Sequence, residues 1–380
     1  MLNDGQRTVY NSEVNEFSNT LDGNGDMRGN VIVIGKGGVG KSFLIRAMEH
    51  GIWQVMMEKY GREEYPTVRV AVKLAAFTGK AAFQVRGVTI HSLLSIGKID
   101  RSYGIQPLQA ESLRRLQRDL KNTRFLFLDE MSMIGLRLLD AIDNRLRQIF
   151  SLHHDKPFGG LIIVLFGDYG QLPPVMDSPL YAPITDRSET ILQHAFQLYR
   201  SSFTRAFELT QQMRQQGITD MDRRFLIVLS NLRTGEVQKE DWEFLQTRVL
   251  ARLSPPERST FESAIFLFST NKEVDDRNTQ MMEQAGTPVA KIEALYQGIS
   301  KEEGAKVDSD YCNNLEHALY LSVGCRVKLP HFCVLMLGNV NKKRLAIERS
   351  LQWGSRHSPR NSLWRQYQAA QSTNLCACRI

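Results

Sequence analysis

Residues 31–42 read VIVIGKGGVGKS: a short β-branched run, a glycine-rich loop of the form GxxxxGK[ST], and a serine that opens a segment with Leu44, Ile45, Met48, Ile52, Val55 and Met56 at helical spacing. Strand, loop and helix in that order are the context in which the pattern signifies phosphate binding. Glycines let the backbone of Gly35, Lys36, Gly37, Gly38, Val39, Gly40, Lys41 and Ser42 curl so that N–H groups face an anion at a helix N-terminus. Lys41 is then placed to neutralise phosphate charge, and the Ser42 hydroxyl to ligate Mg2+ beside a nucleoside triphosphate such as ATP. A glycine-rich turn without a ligand is the bland alternative, disfavoured by the strand before the loop and the helix after it.

The phosphate loop commits the chain to a parallel sheet covered by helices, and the pattern downstream agrees. Strands are expected near 68–75, at 124–128 (RFLFL) and at 161–166 (LIIVLF), with helices over 42–60, 108–120 and the stretch carrying Leu139, Ile142, Leu146 and Ile149. Uninterrupted apolar strands alternating with helices mean a parallel sheet buried on both faces, an α/β fold. A first domain over residues 1–200 and a partial second one over 201–330 are expected, the second opening with a strand at 203–209 and holding helices near 219–233 and 239–250 and an apolar strand at 264–268.

Beyond Pro330 the periodicity stops and the composition changes. Residues 331–380 hold eight Lys or Arg against the single acid Glu348, which accounts for the whole net charge of +7. Any nucleic-acid groove in residues 1–330 must therefore come from local placement of charge and not from bulk basicity. All five cysteines (Cys312, Cys325, Cys333, Cys376, Cys378) fall late in the chain at spacings that match neither a zinc ribbon nor a disulfide framework, so a reducing compartment is expected. No run approaches the roughly 18 apolar residues of a membrane span, and the N-terminus lacks the look of a signal or transit peptide. The expectation is a protein without membrane association, inside the cell.

Two further loops end apolar strands, where ligands gather in open α/β sheets. FLFLDEMS puts Asp129 in place to hold Mg2+ through its water shell and leaves Glu130 to orient and deprotonate a water, since one carboxylate cannot readily do both. An acidic helix cap is the alternative. FGDYGQLPP, residues 166–174, holds Gln171 beside a rigid diproline where a γ-phosphate can be sensed.

At this loop the sequence resembles a family. GDYGQLPPV, residues 167–175, is similar to the GDFxQLPPV motif of the PIF (petite integration frequency) helicases, in the superfamily 1B branch that includes RecD. Other blocks follow in family order: LNDGQRTVY resembles the adenine-reading motif, with Gln6 as its glutamine, and AAFTGKAAFQVRGVTIHSLL resembles the segment whose Thr78, Gly79, Thr89, His91 and Ser92 would touch the DNA backbone. FELTQQMRQ resembles the fourth motif, which makes Arg214 the arginine that reaches the γ-phosphate from the second domain, and AIFLFSTNKEVDDRN makes Thr270 and Asn271 phosphate contacts. Singly, Gln6, Arg214 and His91 also read as solvated or satisfied residues; their shared order is what carries weight.

The resemblance spans about residues 1–329 and implies two RecA-like parallel-sheet domains, the second incomplete, binding ATP and Mg2+ between them and stepping 5′-to-3′ along single-stranded DNA to open forked or partial duplexes. It further implies a monomeric motor, nuclear or otherwise intracellular, serving repair, recombination or telomere maintenance. The family's TxHxxQG block and its final arginine block do not follow Leu329, so residues 331–380 are read as a disordered or out-of-frame basic tail, with a divergent tail as the alternative. Two rival functions are a catalytically impaired remnant that binds ATP, and a switch of the ParA and MinD type. KGGVGKS fits the deviant loop of that switch, with Lys36 reaching across a dimer, but LDEMS and GDYGQLPP do not.

Overall fold

The computed structural model describes residues 1–22, 29–61, 71–101, 103–185, 188–214, 219–261, 264–294, 300–304 and 317–325. The chain divides into two compact units, Met1–Val249 and a second beginning at Leu250.

The first unit opens with α1 (Asp4–Leu21), followed by β1 (Asn30–Gly35) and α2 (Lys41–Tyr60). Gly61 ends α2 at φ 77°, its N–H closing on the Met57 carbonyl, a positive φ that glycine adopts without strain. Next come β2 (Val72–Ala76), α3 (Gly79–Gln84), β3 (Val88–Thr89), α4 (Ile90–Leu94), α5 (Ala110–Leu120), β4 (Phe125–Asp129), α6 (Leu136–Ile149) and β5 (Ile162–Gly167). The unit continues with α7 (Thr190–Ser202), β6 (Phe203–Leu209), α8 (Asp220–Thr234) and α9 (Lys239–Gln246). The six strands pair in the order β3-β2-β4-β5-β1-β6, all parallel.

Alternation along these strands builds two cores, one on each face. Ile32, Leu126, Leu128, Ile163 and Leu165 pack with α5, α6 and α7 through Leu116, Leu139, Ile142, Leu146 and Leu192. Their neighbours Val31, Val33, Phe125, Phe127, Val164 and Phe166 pack with α1 and α2 through Val9, Phe17, Leu44, Ile45 and Ile52. Phe125, fully buried, meets Phe17 edge-on at 5.0 Å and contributes roughly 2–3 kcal/mol by burial alone.

β6 corrects the expected division of the chain. It was expected to open the second domain, yet it hydrogen-bonds along β1 from Asn30↔Phe203 to Gly35↔Leu209 and completes the first sheet. Its alternating burial, with Phe203 and Leu209 inside and Thr204 exposed, is that of an edge strand. Arg205 fastens it to α1 through Glu13 and Glu16, both at 3.0 Å, with Glu13 wholly buried.

The second unit contains α10 (Pro255–Ser259), α11 (Asn271–Gln284), β7 (Val289–Glu293), α12 (Lys301–Gly304) and β8 (Ala318–Ser322). Its sheet among the described residues is the antiparallel pair β7-β8. The apolar strand expected at 264–268 does not form: those residues carry no ladder pairing, and Ile265 and Leu267 are exposed. An apolar run becomes a strand only where a neighbour accepts its backbone bonds.

Among the described residues no helix is long and apolar enough to cross a membrane. Cys325 is a free, exposed thiol, while Cys312, Cys333, Cys376, Cys378 and the basic tail lie outside the described residues.

Candidate nucleotide site

The carboxyl ends of β4, β5, β1 and β6 stand side by side, and each delivers one of the expected chemical groups. From β1 the chain runs through Lys36 into the loop, where Gly38 and Gly40 take φ of 90° and 86°, and Gly40 caps α2. Both positive φ values favour glycine, and space beside each is short. A Cβ on Gly38 would lie 2.3 Å from Gln212 Oε1, and one on Gly40 2.5 Å from Gln6 Nε2.

Among the described residues, the hydrogen bonds that hold the loop from outside fall on its carbonyl oxygens. Gln6 Nε2 donates to Val39 O at 3.1 Å and Gly40 O at 3.4 Å, Gln212 Nε2 to Gly37 O at 3.0 Å, and the backbone N–H groups of Met213 and Arg214 to Gly38 O at 2.9 and 3.1 Å. Carbonyls turned outward leave the loop N–H groups for an anion, the arrangement of a phosphate nest. Lys41 Nζ donates to Gly35 O at 2.6 Å and Lys36 O at 3.1 Å, folded over the loop it serves. Burial lowers the Lys41 pKa, Asp129, Asp168 and Glu130 oppose that shift, and Arg214 adds to it. Four charged groups therefore act on this ammonium. Lys36 is exposed, and Ser42 is half-buried in the first turn of α2.

Gln6 reaches the phosphate loop from α1. It is buried, its Oε1 accepts from Asn3 N at 3.1 Å in a capping box, and its Nε2 is spent on the loop. Oε1 keeps a second lone pair for an adenine amino group, whereas a bond donated by Nε2 would replace one of its two to the loop.

Asp129, at the end of β4, is 5% exposed, and burial raises its carboxyl pKa to about 6, with the Glu130 charge adding to the rise and the Glu130 N–H and Lys41 opposing it. The Glu130 N–H donates to Asp129 Oδ1 at 3.0 Å, which leaves Oδ2 for another partner. Burial disfavours the charged form of this carboxylate, and a hard cation beside it would offset that cost; Mg2+ takes oxygen donors while keeping several waters. Asp129 with the Ser42 hydroxyl fits that ion. No group of three or more His, Cys, Asp or Glu among the described residues forms a cage for a more demanding metal. Glu130 stands at φ 57° and ψ 49°, a left-handed conformation that costs a non-glycine residue about 1–2 kcal/mol. Such strain persists where the surroundings impose it, commonly at functional sites.

Past β5, Asp168 is buried and accepts from Gly170 N at 3.1 Å and Gln171 Nε2 at 3.5 Å, while its carbonyl accepts from Gln171 N at 2.9 Å. Arg233 of α8 donates to both of its carboxylate oxygens, Nη1 to Oδ2 at 2.7 Å and Nη2 to Oδ1. Burial alone would raise the Asp168 pKa; the Arg233 guanidinium and the Gly170 N–H outweigh it and hold the carboxyl below the usual range. Gln171 is exposed on this braced loop. Arg214 corrects a second expectation: it follows β6 within the unit that carries the phosphate loop, its N–H bonded to Gly38, and does not come from the other unit.

Thr78, Gly79, Thr89, His91 and Ser92 gather at the same carboxyl edge, beyond β2 and β3. Thr78 Oγ1 accepts from Ala81 N at 3.2 Å and Thr89 Oγ1 from Ser92 N at 3.3 Å, so both threonines cap short helices. The Thr89 hydroxyl also donates to Ser92 Oγ at 2.8 Å, and His91 packs edge-on against Phe77 at 5.8 Å. A cavity of about 570 Å3 adjoins them, lined among others by Phe77, His91, Lys98, Arg101, Arg137 and Met176. Thr270 caps α11 in a box with Glu273, and Asn271 is that helix's first residue, in the second unit. Three residues at the nucleotide edge escaped sequence reasoning: Asp168, although inside a quoted motif, Gln212 and Arg233. Gln212 also lies inside a quoted block, FELTQQMRQ, while Arg233 carries no pattern of its own; only the fold shows what they face.

The sequence model of the PIF1-like helicase family matches residues 1–243. Among curated relatives, the ATP-dependent DNA helicase PIF1 of Saccharomyces cerevisiae (strain YJM789) is 29% identical over 304 residues, covering 79% of this chain and 32% of that protein. The ATP-dependent DNA helicase Pif1 of Campylobacter jejuni is 26% identical over 316 residues, 80% of this chain and 62% of its own length. A structure of Pif1 helicases unwinding forked double-stranded DNA aligns at TM-score 0.57 and 24% identity, over 85% of this chain and 66% of that one. The crystal structure of Pif1 helicase from Candida albicans aligns at TM-score 0.55 and 24% identity, over 85% and 64%, and both are likenesses of fold. The chain thus spans less than two thirds of these curated relatives. With the family's model matched over more than half of the chain, and phosphate loop, acidic pair and GDYGQLPP loop on adjacent strand ends of one RecA-like sheet, the chain belongs to the PIF1-like helicase family.

Proposed function

We propose that this chain is the ATP-hydrolysing motor of a DNA helicase. One observation supports the reading most: Lys41, the Asp129–Glu130 pair, the Asp168–Gln171 loop and Arg214 leave four neighbouring strands at one edge, with Lys41 in the electrostatic field of Asp129, Glu130, Asp168 and Arg214. Phosphoryl transfer asks for just such a set, because catalysis there is positioning plus charge stabilisation.

On this reading the nest of loop N–H groups takes the β- and γ-phosphates, and Lys41 leaves the Gly35 and Lys36 carbonyls for them. Asp129 and Ser42 would hold Mg2+, which would supply charge neutralisation at the phosphates. Glu130 orients a water and takes its proton. Gln171 senses the γ-phosphate, and Arg214 stabilises the transferred group. The N-termini of α3 and α4, with Thr78, Gly79, Thr89, His91 and Ser92, grip backbone phosphates of single-stranded DNA. Thr270 and Asn271 do the same in the second unit. Alternating grip through the nucleotide cycle moves the protein 5′-to-3′ and opens forked or partial duplexes. The motor acts as a monomer inside the cell, in the nucleus where there is one, in repair, recombination or telomere maintenance.

The test is ATP hydrolysis with and without oligothymidylate. Stimulation by the single strand, abolished in Glu130→Gln with fluorescent-nucleotide binding retained, is the expected result. Hydrolysis indifferent to DNA, with ATP-driven dimerisation, would point instead to a switch, and nucleotide binding without turnover or strand displacement to a remnant.

A further inference from the structure

Gln212 is half-buried, two residues before Arg214, in a segment with no helix or strand. A glutamine amide offers a donor and an acceptor at opposite corners, and here both are used on the same short stretch. Nε2 donates to Gly37 O at 3.0 Å, while Oε1 accepts from Met213 N at 3.1 Å and Arg214 N at 3.3 Å. Those two N–H groups also reach Gly38 O, so the side chain and the apex of the phosphate loop share them. The approach is close enough to depend on glycine: a Cβ on Gly38 would stand 3.0 Å from the Cβ of Arg214. Asn3 Nδ2, reaching Met213 Sδ at 3.5 Å, braces the segment from α1.

We propose that Gln212 is a positioning residue that ties the Gly37–Gly38 apex of the phosphate loop to the backbone of Met213 and Arg214, so that loop and arginine meet the γ-phosphate as one piece. The inference rests on the reading of the chain as an ATPase whose Arg214 stabilises the transferred phosphoryl group. Three features support it. The tie falls on loop carbonyls only, so it leaves the phosphate-facing N–H groups free and is compatible with bound nucleotide. It acts on the Arg214 backbone, which leaves the guanidinium available. Substitutes are poor: asparagine is shorter by a methylene, glutamate lacks the donor, and leucine lacks both polar atoms.

A double-mutant cycle on the full chain separates positioning from general damage. Gln212→Ala is expected to lower kcat for DNA-stimulated ATP hydrolysis about tenfold or more, since a misplaced catalytic group costs that much, while the Kd of a fluorescent ATP analogue with Mg2+ stays within about threefold. Because Gln212 acts through Arg214, Gln212→Ala with Arg214→Ala is expected to be no slower than Arg214→Ala alone. Independently of turnover, amide hydrogen exchange at Met213 and Arg214 is expected to quicken in Gln212→Ala and in Gln212→Leu, both of which lack the accepting oxygen. Additive losses in the cycle, an unchanged kcat, or nucleotide binding weakened as far as in Lys41→Ala overturns the proposal. A wild-type chain that hydrolyses no ATP defeats the ATPase reading, and the exchange rates then decide the tie: unchanged exchange in both Gln212 variants overturns it.

Discussion

Arg233, one residue from the end of α8, donates to both carboxylate oxygens of Asp168, one residue beyond β5, with the carboxylate 1% exposed and the arginine side chain 32% exposed. The fork closes over Gly170, where an added Cβ would meet the guanidinium at 2.5 Å, and the loop that presents Gln171 is thereby braced from a helix 65 residues away in sequence. Arg233→Ala leaves a buried carboxylate without its counter-ion. Discounted for the exposure of the arginine, the loss is about 2 kcal/mol at pH 7. The Asp168 pKa is depressed in the folded protein, so this stabilisation is present above the unfolded-state pKa and lost as pH falls through the folded one. Urea unfolding of wild type and variant should therefore converge at acid pH, and a gap that persists there would contradict the assignment.

Asp129 carries the opposite sign. Its pKa is raised from 3.8 to about 6, so between those values the folded state binds more protons than the unfolded state and stability falls as pH rises. Asp129→Asn should therefore stabilise the nucleotide-free protein at pH 7.5 by on the order of 2 kcal/mol, with the gain shrinking toward pH 5. The same variant should lose Mg2+-dependent hydrolysis. Thermal melts at the two pH values, read beside turnover, check both halves.

Gly40→Ala combines a φ of 86° with a Cβ 2.5 Å from the Gln6 amide. Roughly 2 kcal/mol of stability should go, part from the backbone and part from the clash. Adding Gln6→Ala removes the clash but not the backbone strain, so the double variant should recover only part of the loss. Full recovery would mean that φ carries no cost at this position.

Removing the tie between β6 and α1 tests whether the first helix supports nucleotide binding. Arg205→Ala strands the buried Glu13 carboxylate, whose pKa burial already raises against the pull of Arg205. A loss of about 3 kcal/mol is expected from leaving a buried charge unpaired. Nucleotide affinity should also fall, because Gln6 reaches the loop from the same helix. Fluorescent-nucleotide titration beside urea unfolding separates the two effects, and unchanged affinity in a folded variant would show that α1 can loosen without the loop.

How much of this was legible beforehand varies with the kind of information involved. β1, β4 and β5 were readable because burial on both faces demands continuous apolar runs, and the phosphate loop because its chemistry is local. Membership of β6 in the first sheet was not, since Phe203–Leu209 reads as a strand whichever sheet it joins and strand order has no local periodicity. Arg214 was named for the γ-phosphate, but its unit was misjudged for the same reason. Gln212 and Arg233 are polar positions whose roles depend on what the fold sets opposite them. The strand expected at 264–268 shows the converse: apolar character announces a wish for burial, and pairing must be supplied from elsewhere.

The place of β5 between β1 and β4 has a metrical consequence. Two strand spacings put the phosphate loop and the acidic pair about 10 Å apart, with Asp168 and Gln171 over the middle of the gap. On the proposed reading a sheet so ordered works as a ruler: a nucleotide anchored on Lys41 extends across β5 toward Glu130, and one phosphate fewer falls short of the mark.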